Sequence, residues 1–156
     1  MSAARTIRGR GIVKGRAAGE ALVAREPISF LGDVDIRSGE VVGALPSVRG
    51  QSVAGKVLVF PASIGSAGAW RFLYQLYRHR THPVALICRE LPDPSVVQGA
   101  ILAGIPVVCE PEEDVLALIG DGDRVEVDGS GTIRVDRKAV ANVAGDLGGR
   151  RRRDVE

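Results

Sequence analysis

Val57-Leu58-Val59-Phe60-Pro61-Ala62-Ser63-Ile64-Gly65-Ser66-Ala67-Gly68-Ala69-Trp70 is the stretch that decides the fold class. Its first four residues are an unbroken apolar run inside the longer strand candidate Ser52–Pro61. Alternation marks a strand with one wet face, whereas an unbroken run marks a strand covered on both faces. Small residues from Ala62 to Ala69 then read as a loop. A helix follows, from about Ala67 to His79. Trp70, Leu73, Tyr74 and Tyr77 recur there at i, i+3, i+4 and i+7, the spacing of one apolar helix face. Strand, loop and helix form one β–α step, the unit from which parallel sheets are built.

Two further steps lie downstream. Pro83–Cys88 reads as a strand, and Asp93–Gly104 as a helix closed by its glycine. Ile105–Cys109 is a strand, and Glu112–Ile119 a short helix with acids in its first turn, where the helix dipole favours them. Gly122–Asp128 and Thr132–Asp136 alternate around Gly129-Ser130-Gly131, a hairpin signature. Upstream, residues 5–13 are a short basic β region and Gly19–Ala24 an alternating strand. Glu26–Gly32 is apolar with punctuation at both ends, and Asp33–Gly39 carries turn signals. The sum is a compact α/β domain whose sheet is partly parallel and partly antiparallel. Residues 1–136 are expected to form it. Residues 137–156, rich in glycine and ending near Arg150–Arg153, are expected to be a flexible basic tail.

Composition narrows the function classes. With 156 residues, one domain is the default, and 45% hydrophobic usage supports a core. Aromatic residues are 4% of the chain, so Val, Ile, Leu and Ala must fill that core. No apolar run approaches the ~20 residues of a membrane span, and the first residues lack a secretory pattern. A cytoplasmic protein with no membrane partner is expected. The net charge of +2 comes from the tail: residues 1–136 hold fifteen Lys/Arg against sixteen Asp/Glu. A near-neutral body does not suit nucleic acid, whose phosphates require a positive face. Cys88 and Cys109 end apolar runs and read as buried, reduced thiols. Two cysteines without close spacing hold no metal or iron–sulfur cluster alone, so no metal site is expected on this chain.

Ser66 is the sharpest candidate. At a helix start its hydroxyl either caps the helix or points into a cleft as a base or hydrogen-bond donor. Unpaired backbone N–H groups are expected there, and such groups attract carboxylate or phosphate. Glu26 with Asp33 and Asp35 are acids suited to proton transfer or, more commonly, to capping turns. His79 and His82 read as the solvated end of the helix.

Several segments in this order go beyond generic α/β: Gly19-Glu20-Ala21-Leu22-Val23, Glu26-Pro27-Ile28-Ser29-Phe30, Gly50-Gln51-Ser52-Val53-Ala54-Gly55-Lys56, Gly65-Ser66, and Gly99-Ala100-Ile101-Leu102-Ala103-Gly104-Ile105-Pro106. Together they resemble the small, swivel subunit of the aconitase X family over residues 5–136. The resemblance implies an aconitase-like swivel domain, a mixed β/α barrel-like sandwich. It implies a large aconitase-X-type subunit as partner, holding an iron–sulfur cluster that this chain does not bind. It implies dehydration of a small hydroxy acid such as 5-phosphomevalonate or cis-3-hydroxy-L-proline. Ser66 then takes the proton α to the substrate carboxylate, with Gly65, Ala67 and Gly68 binding substrate. The loop departs from the family pattern at Ile64, where a basic residue is usual, which removes one way of lowering the serine pKa. The alternative function is a non-catalytic swivelling or ligand-binding module that regulates a partner chain.

Overall fold

The computed structural model describes residues 4–137, so the expected tail, apart from Arg137, lies outside the described residues. The elements in chain order are β1 (Ala4–Arg8), β2 (Arg10–Val13), β3 (Arg16–Val23), β4 (Val57–Phe60), α1 (Ala69–Arg78), β5 (Ala85–Cys88), α2 (Pro94–Ala103), β6 (Val107–Cys109), α3 (Val115–Leu118), β7 (Arg124–Asp128) and β8 (Thr132–Asp136). The eight strands are ordered β1-β8-β7-β3-β4-β5-β6-β2. The three expected β–α steps are present, and β3, β4, β5 and β6 pair in parallel. The remaining pairs are antiparallel, including the expected hairpin of β7 and β8.

β3 joins the two regimes. Arg16–Glu20 pairs antiparallel with β7, while Ala21–Val23 pairs in parallel with β4. β1 and β2 are adjacent in the chain yet sit at opposite edges of the strand order. The chain turns between them at Gly9, whose N–H donates to Gly131 O at 2.8 Å. One edge is thereby led to the other and the sheet curls into a barrel-like sandwich, the expected architecture. Closure of this kind removes exposed sheet edges.

Two cores result. Along β4, Val57 and Val59 face the inside of the curled sheet, while Leu58 and Phe60 face the helices. β5 repeats this, with Ala85 and Ile87 inside and Leu86 and Cys88 toward the helices. This two-sided burial is why the Val57–Phe60 run is unbroken. Each large apolar side chain so buried contributes about 1.5–3 kcal/mol. Residues 26–53 run outside regular elements yet supply Ile28, Phe30, Val34, Val41, Leu45, Val48 and Val53 to the helix-side core.

The helices correct two expectations. α1 buries Ala69, Leu73 and Leu76, not the stripe of Trp70, Leu73, Tyr74 and Tyr77. Leu73 alone belongs to both. Both stripes have helical spacing, and close packing on α2 selects the slimmer one. A Cβ on Gly99 would lie 2.9 Å from Trp70 Cα and from Leu73 Cβ, so α2 approaches α1 where only glycine fits. α3 is shorter than expected. Its acids precede it, and Asp114 Oδ1 caps it by accepting from Leu116 N–H at 3.2 Å. α2 ends as expected, with Gly104 left-handed at φ 70°.

Candidate functional site

Ligand sites in parallel α/β sheets gather outside the carboxyl ends of the strands. Here those ends are Val23, Phe60, Cys88 and Cys109. They bring residues 24–28, 61–68, 89–93 and 110–114 to one rim. The loops are tied to each other through backbone bonds. Ile28 N–H donates to Ala62 O at 3.0 Å, and Ile64 N–H to Ile28 O at 2.9 Å. Arg89 N–H donates to Phe60 O at 3.0 Å, and Glu90 N–H to Pro61 O at 3.1 Å.

Ser66 lies on this rim, half-buried, two residues before the Gly68 cap of α1. Its Oγ accepts from Gly68 N–H at 3.3 Å. The hydroxyl proton has no acceptor among the described residues. Ser66 is therefore not the N-cap residue, although its oxygen satisfies one early amide.

The expectation of free donors at the helix start is also corrected. Ala69 N–H donates to Ser66 O at 3.2 Å, and Arg71 N–H to Gly68 O at 3.1 Å. Trp70 N–H donates to Ser95 Oγ at 2.9 Å. With Gly68 engaged as well, the opening of α1 is internally satisfied. The loop turns back on itself, and α2 lends it a hydroxyl. In this loop the N–H groups of Gly65, Ser66 and Ala67, one step earlier, are among those without an acceptor. Of the expected substrate-binding residues, Gly65 and Ala67 keep a free donor, and Gly68 does not.

The rim is open rather than enclosed. Ile64 is 51% exposed beside Ser66. Grooves lie elsewhere on the surface. One of about 520 Å³ runs over the antiparallel strands between Thr6, Arg16, Glu126 and Arg134. Another of about 410 Å³ runs along α2, between Leu91, Pro92, Pro94, Val97, Ile101 and Leu102. Ser66 lines neither of these.

The other candidates are structural. Glu26 Oε1 accepts from Ser47 Oγ at 2.7 Å. Asp33 Oδ2 accepts from Ser29 N–H at 2.8 Å, and Asp35 Oδ2 from Ser38 Oγ at 2.9 Å. These acids fix turns, and none of them hydrogen-bonds Ser66. His79 ends α1 with its Nδ1 2.9 Å from Gln75 O. His82 packs edge-on against Tyr77, and burial holds its pKa below the ordinary histidine value. Cys88 and Cys109 are opposite partners in the β5–β6 register, both buried with free thiols. Burial, the largest cause, pushes the Cys88 pKa up to about 12, and burial also raises that of Cys109. Such thiols are unreactive packing groups. Among the described residues no cluster of three His, Cys, Asp or Glu side chains suits a metal ion.

Two residues of the rim escape sequence reading. Asp93 and Ser95, at the start of α2, hydrogen-bond the Ser66 loop. An Asp-Pro-Ser run before a helix signals a cap, yet the Asp93 side chain makes no bond to its own helix.

Comparison with known proteins gives concordant matches. A family model described as the aconitase X swivel domain matches residues 6–135. The phosphomevalonate dehydratase small subunit of Methanosarcina mazei is 46% identical over 123 residues, covering 79% of this chain and 85% of the relative. The protein of the same name from Pyrococcus furiosus is 40% identical over 123 residues, 79% of this chain and 89% of the relative. The crystal structure of Thermococcus kodakaraensis aconitase X in its holo-form aligns with a TM-score of 0.78 at 39% identity, over 84% of this chain and 98% of that one. A UPF0107 protein solved by NMR in solution aligns with a TM-score of 0.77 at 37% identity, over 83% of this chain and 97% of that one.

Proposed function

The chain belongs to the aconitase X swivel domain family, and on that premise we propose that it is the small subunit of a two-chain dehydratase acting on a small hydroxy carboxylic acid. The names of the relatives favour 5-phosphomevalonate as substrate, with cis-3-hydroxy-L-proline as the second choice. In this reading residues 1–136 are the swivel body, 137–156 a basic tail, and the enzyme is cytoplasmic, where its thiols stay reduced.

The observation that carries the reading is the Ser66 hydroxyl on an open rim, beside unpaired N–H groups of Gly65, Ser66 and Ala67. A site half-built in this way needs a second surface. A second uncovered surface supports the same view. α2 is apolar nearly all round, and from Pro94 to Cys109 the sequence has no charged residue. Helices apolar on every side are normally covered on every side. Here Ile101 is 60% and Leu102 49% exposed, and a large subunit is the partner that this reading supplies.

Ser66 acts as its alkoxide, the hydroxyl proton having passed to solvent beforehand, and takes the proton from the carbon α to the substrate carboxylate to become a neutral hydroxyl, the C–H electron pair staying on the substrate. The amides of Gly65 and Ala67 hold the carboxylate, which orients that C–H bond toward Oγ. The Gly68 N–H donated to Oγ stabilises the serine alkoxide before the transfer. No cation occupies positions 61–70, so further lowering of the serine pKa falls to the partner. The iron–sulfur cluster that the family implies does not fit the described residues, because the two thiols are buried within the sheet and no third ligand joins them there. The reading assigns the cluster to the large subunit, and departure of the substrate hydroxyl is not a task of the residues described here.

The test is co-expression with the large subunit. The wild-type complex is expected to dehydrate 5-phosphomevalonate or cis-3-hydroxy-L-proline, and Ser66→Ala to abolish turnover while the two chains still co-purify. A Ser66→Ala complex that turns over at the wild-type rate would remove the serine from the chemistry. An assembled wild-type complex inert on hydroxy acids would favour the regulatory module.

A further inference from the structure

Resting on the reading of Ser66 as proton acceptor, we propose that Asp93 and Ser95 are positioning residues that hold the Ser66 loop in its working shape from the neighbouring β–α unit. The loop has little stiffness of its own: Ala62, Gly65, Ala67 and Gly68 are among its members. Besides the bonds that Gly68 and Ala69 N–H donate to Ser66, its fixings come from across the rim. Asp93 Oδ2 accepts from Ser63 Oγ at 2.8 Å, and Asp93 N–H donates to the same oxygen at 3.0 Å. Ser95 Oγ accepts from Trp70 N–H at 2.9 Å and donates to Ala67 O at 3.0 Å. These four bonds bracket Ser66 on both sides.

Neither side chain serves its own helix. An N-cap aspartate ordinarily accepts from the N–H groups of the helix it begins. Asp93 makes no such bond, and Pro94 removes one amide that would have needed it. Asp93 also lies beneath the loop. A Cβ on Gly65 would come into ordinary contact with Asp93 Oδ1, at 3.4 Å, so the aspartate stands next to the glycine that precedes Ser66. The two clamps act at different points, Asp93 at the entry to the loop and Ser95 at its junction with α1. What they fix is the height and direction of the Ser66 hydroxyl.

The test uses the two-chain enzyme and whichever of 5-phosphomevalonate or cis-3-hydroxy-L-proline it dehydrates. Ser95→Ala is expected to lower kcat about 10–100-fold, because misplacement on the order of 1 Å has that effect, while KM moves less than about threefold. Hydrogen exchange at the Trp70 amide of the full chain should quicken in the same variant. Ser95→Thr, which keeps the hydroxyl, should recover most of the rate. Asp93→Ala should show the same split between kcat and KM, with the complex still assembled. Wild-type kcat in both alanine variants would overturn the proposal, as would unchanged exchange at Trp70 or a loss confined to KM. Ser66→Ala separates the two ideas. If it is inactive while Ser95→Ala and Asp93→Ala turn over normally, the clamp alone is wrong. If it is fully active, the role of Ser66 falls and the clamp falls with it.

Discussion

The parallel half of the molecule, β4 to α3, and the antiparallel half, β1, β7, β8 and the start of β3, solve burial differently. β4 and β5 are buried at every position. β7 and β8 bury alternate residues and leave one face to solvent. A wet face can carry charge along its length, and this one does, as in the pair of Arg16 and Asp128 at 3.1 Å. A strand covered on both faces has no room for polar groups, so those of the parallel half collect at strand ends. That is why Ser63, Ser66, Asp93 and Ser95 meet on one rim. The antiparallel half spreads its polar side chains over a wet face, and the parallel half gathers them on one rim.

The largest test of that division compares two hydroxyls beside turns. Ser66→Ala should lower turnover of the two-chain enzyme about 10²–10⁴-fold, the usual weight of a positioned acid–base group. Ser130 Oγ donates to Asp128 Oδ1 at 2.8 Å in the β7–β8 turn. Ser130→Ala should leave turnover unchanged in the same assay. Equal losses would break the division.

A stability comparison comes next. Leu58 is fully buried on the helix side of β4. Leu58→Ala should cost about 2–5 kcal/mol in urea denaturation, from lost transfer energy plus the cavity left behind. Arg134 on the wet face of β8 is exposed, and Arg134→Ala should stay within about 0.5 kcal/mol. A comparable loss at Arg134 would mean that the outer face of β8 is covered by more than water.

The same division explains what could be read from the sequence. Unbroken runs such as Val57–Phe60 identify doubly covered strands, and alternation in Arg124–Asp128 and Thr132–Asp136 identifies the hairpin. The buried face of α1 is not legible from periodicity, because two stripes share the helical spacing. Trp70 and Tyr77 are the larger side chains, but the glycine contact from α2 decides which face is inside. The core role of residues 26–53 is invisible to periodicity, since that segment has no regular element to set a period. Ser66 is legible as a serine at a helix start, and the resemblance is what gives it a catalytic role. Its supports were missed because Ser63 and Asp93 lie thirty residues apart and meet only through the parallel pairing of β4 with β5.

A smaller effect sharpens the parallel half alone. Gly104 closes α2 at φ 70°, where an L side chain is strained. Gly104→Ala should destabilise by about 1–2 kcal/mol without altering kcat, because Gly104 is at the far end of α2 from Asp93. Loss of kcat at retained stability would show that the α2 carboxyl end also reaches the rim.

The smallest effect belongs to the antiparallel half and depends on pH. The Asp128 carboxyl is held below the usual carboxylate range, chiefly by the Ser130 backbone N–H, then by the Ser130 hydroxyl, with Arg16 adding to it. A lowered folded-state pKa means that the folded chain binds this proton less readily than the unfolded chain. The resulting stability is fully present above the ordinary carboxylate pKa of about 4 and is lost as pH falls through the lower folded value. Asp128→Asn should therefore lower the thermal midpoint slightly at neutral pH, and the gap should close on acidification below about pH 4. The Arg16 share should shrink with added salt, since that arginine is exposed. A gap that persists unchanged in acid would assign the effect to the shape of the turn rather than to its charge. Turnover of the assembled enzyme should not follow this titration, because the Asp128 turn belongs to the antiparallel hairpin and not to the Ser66 rim.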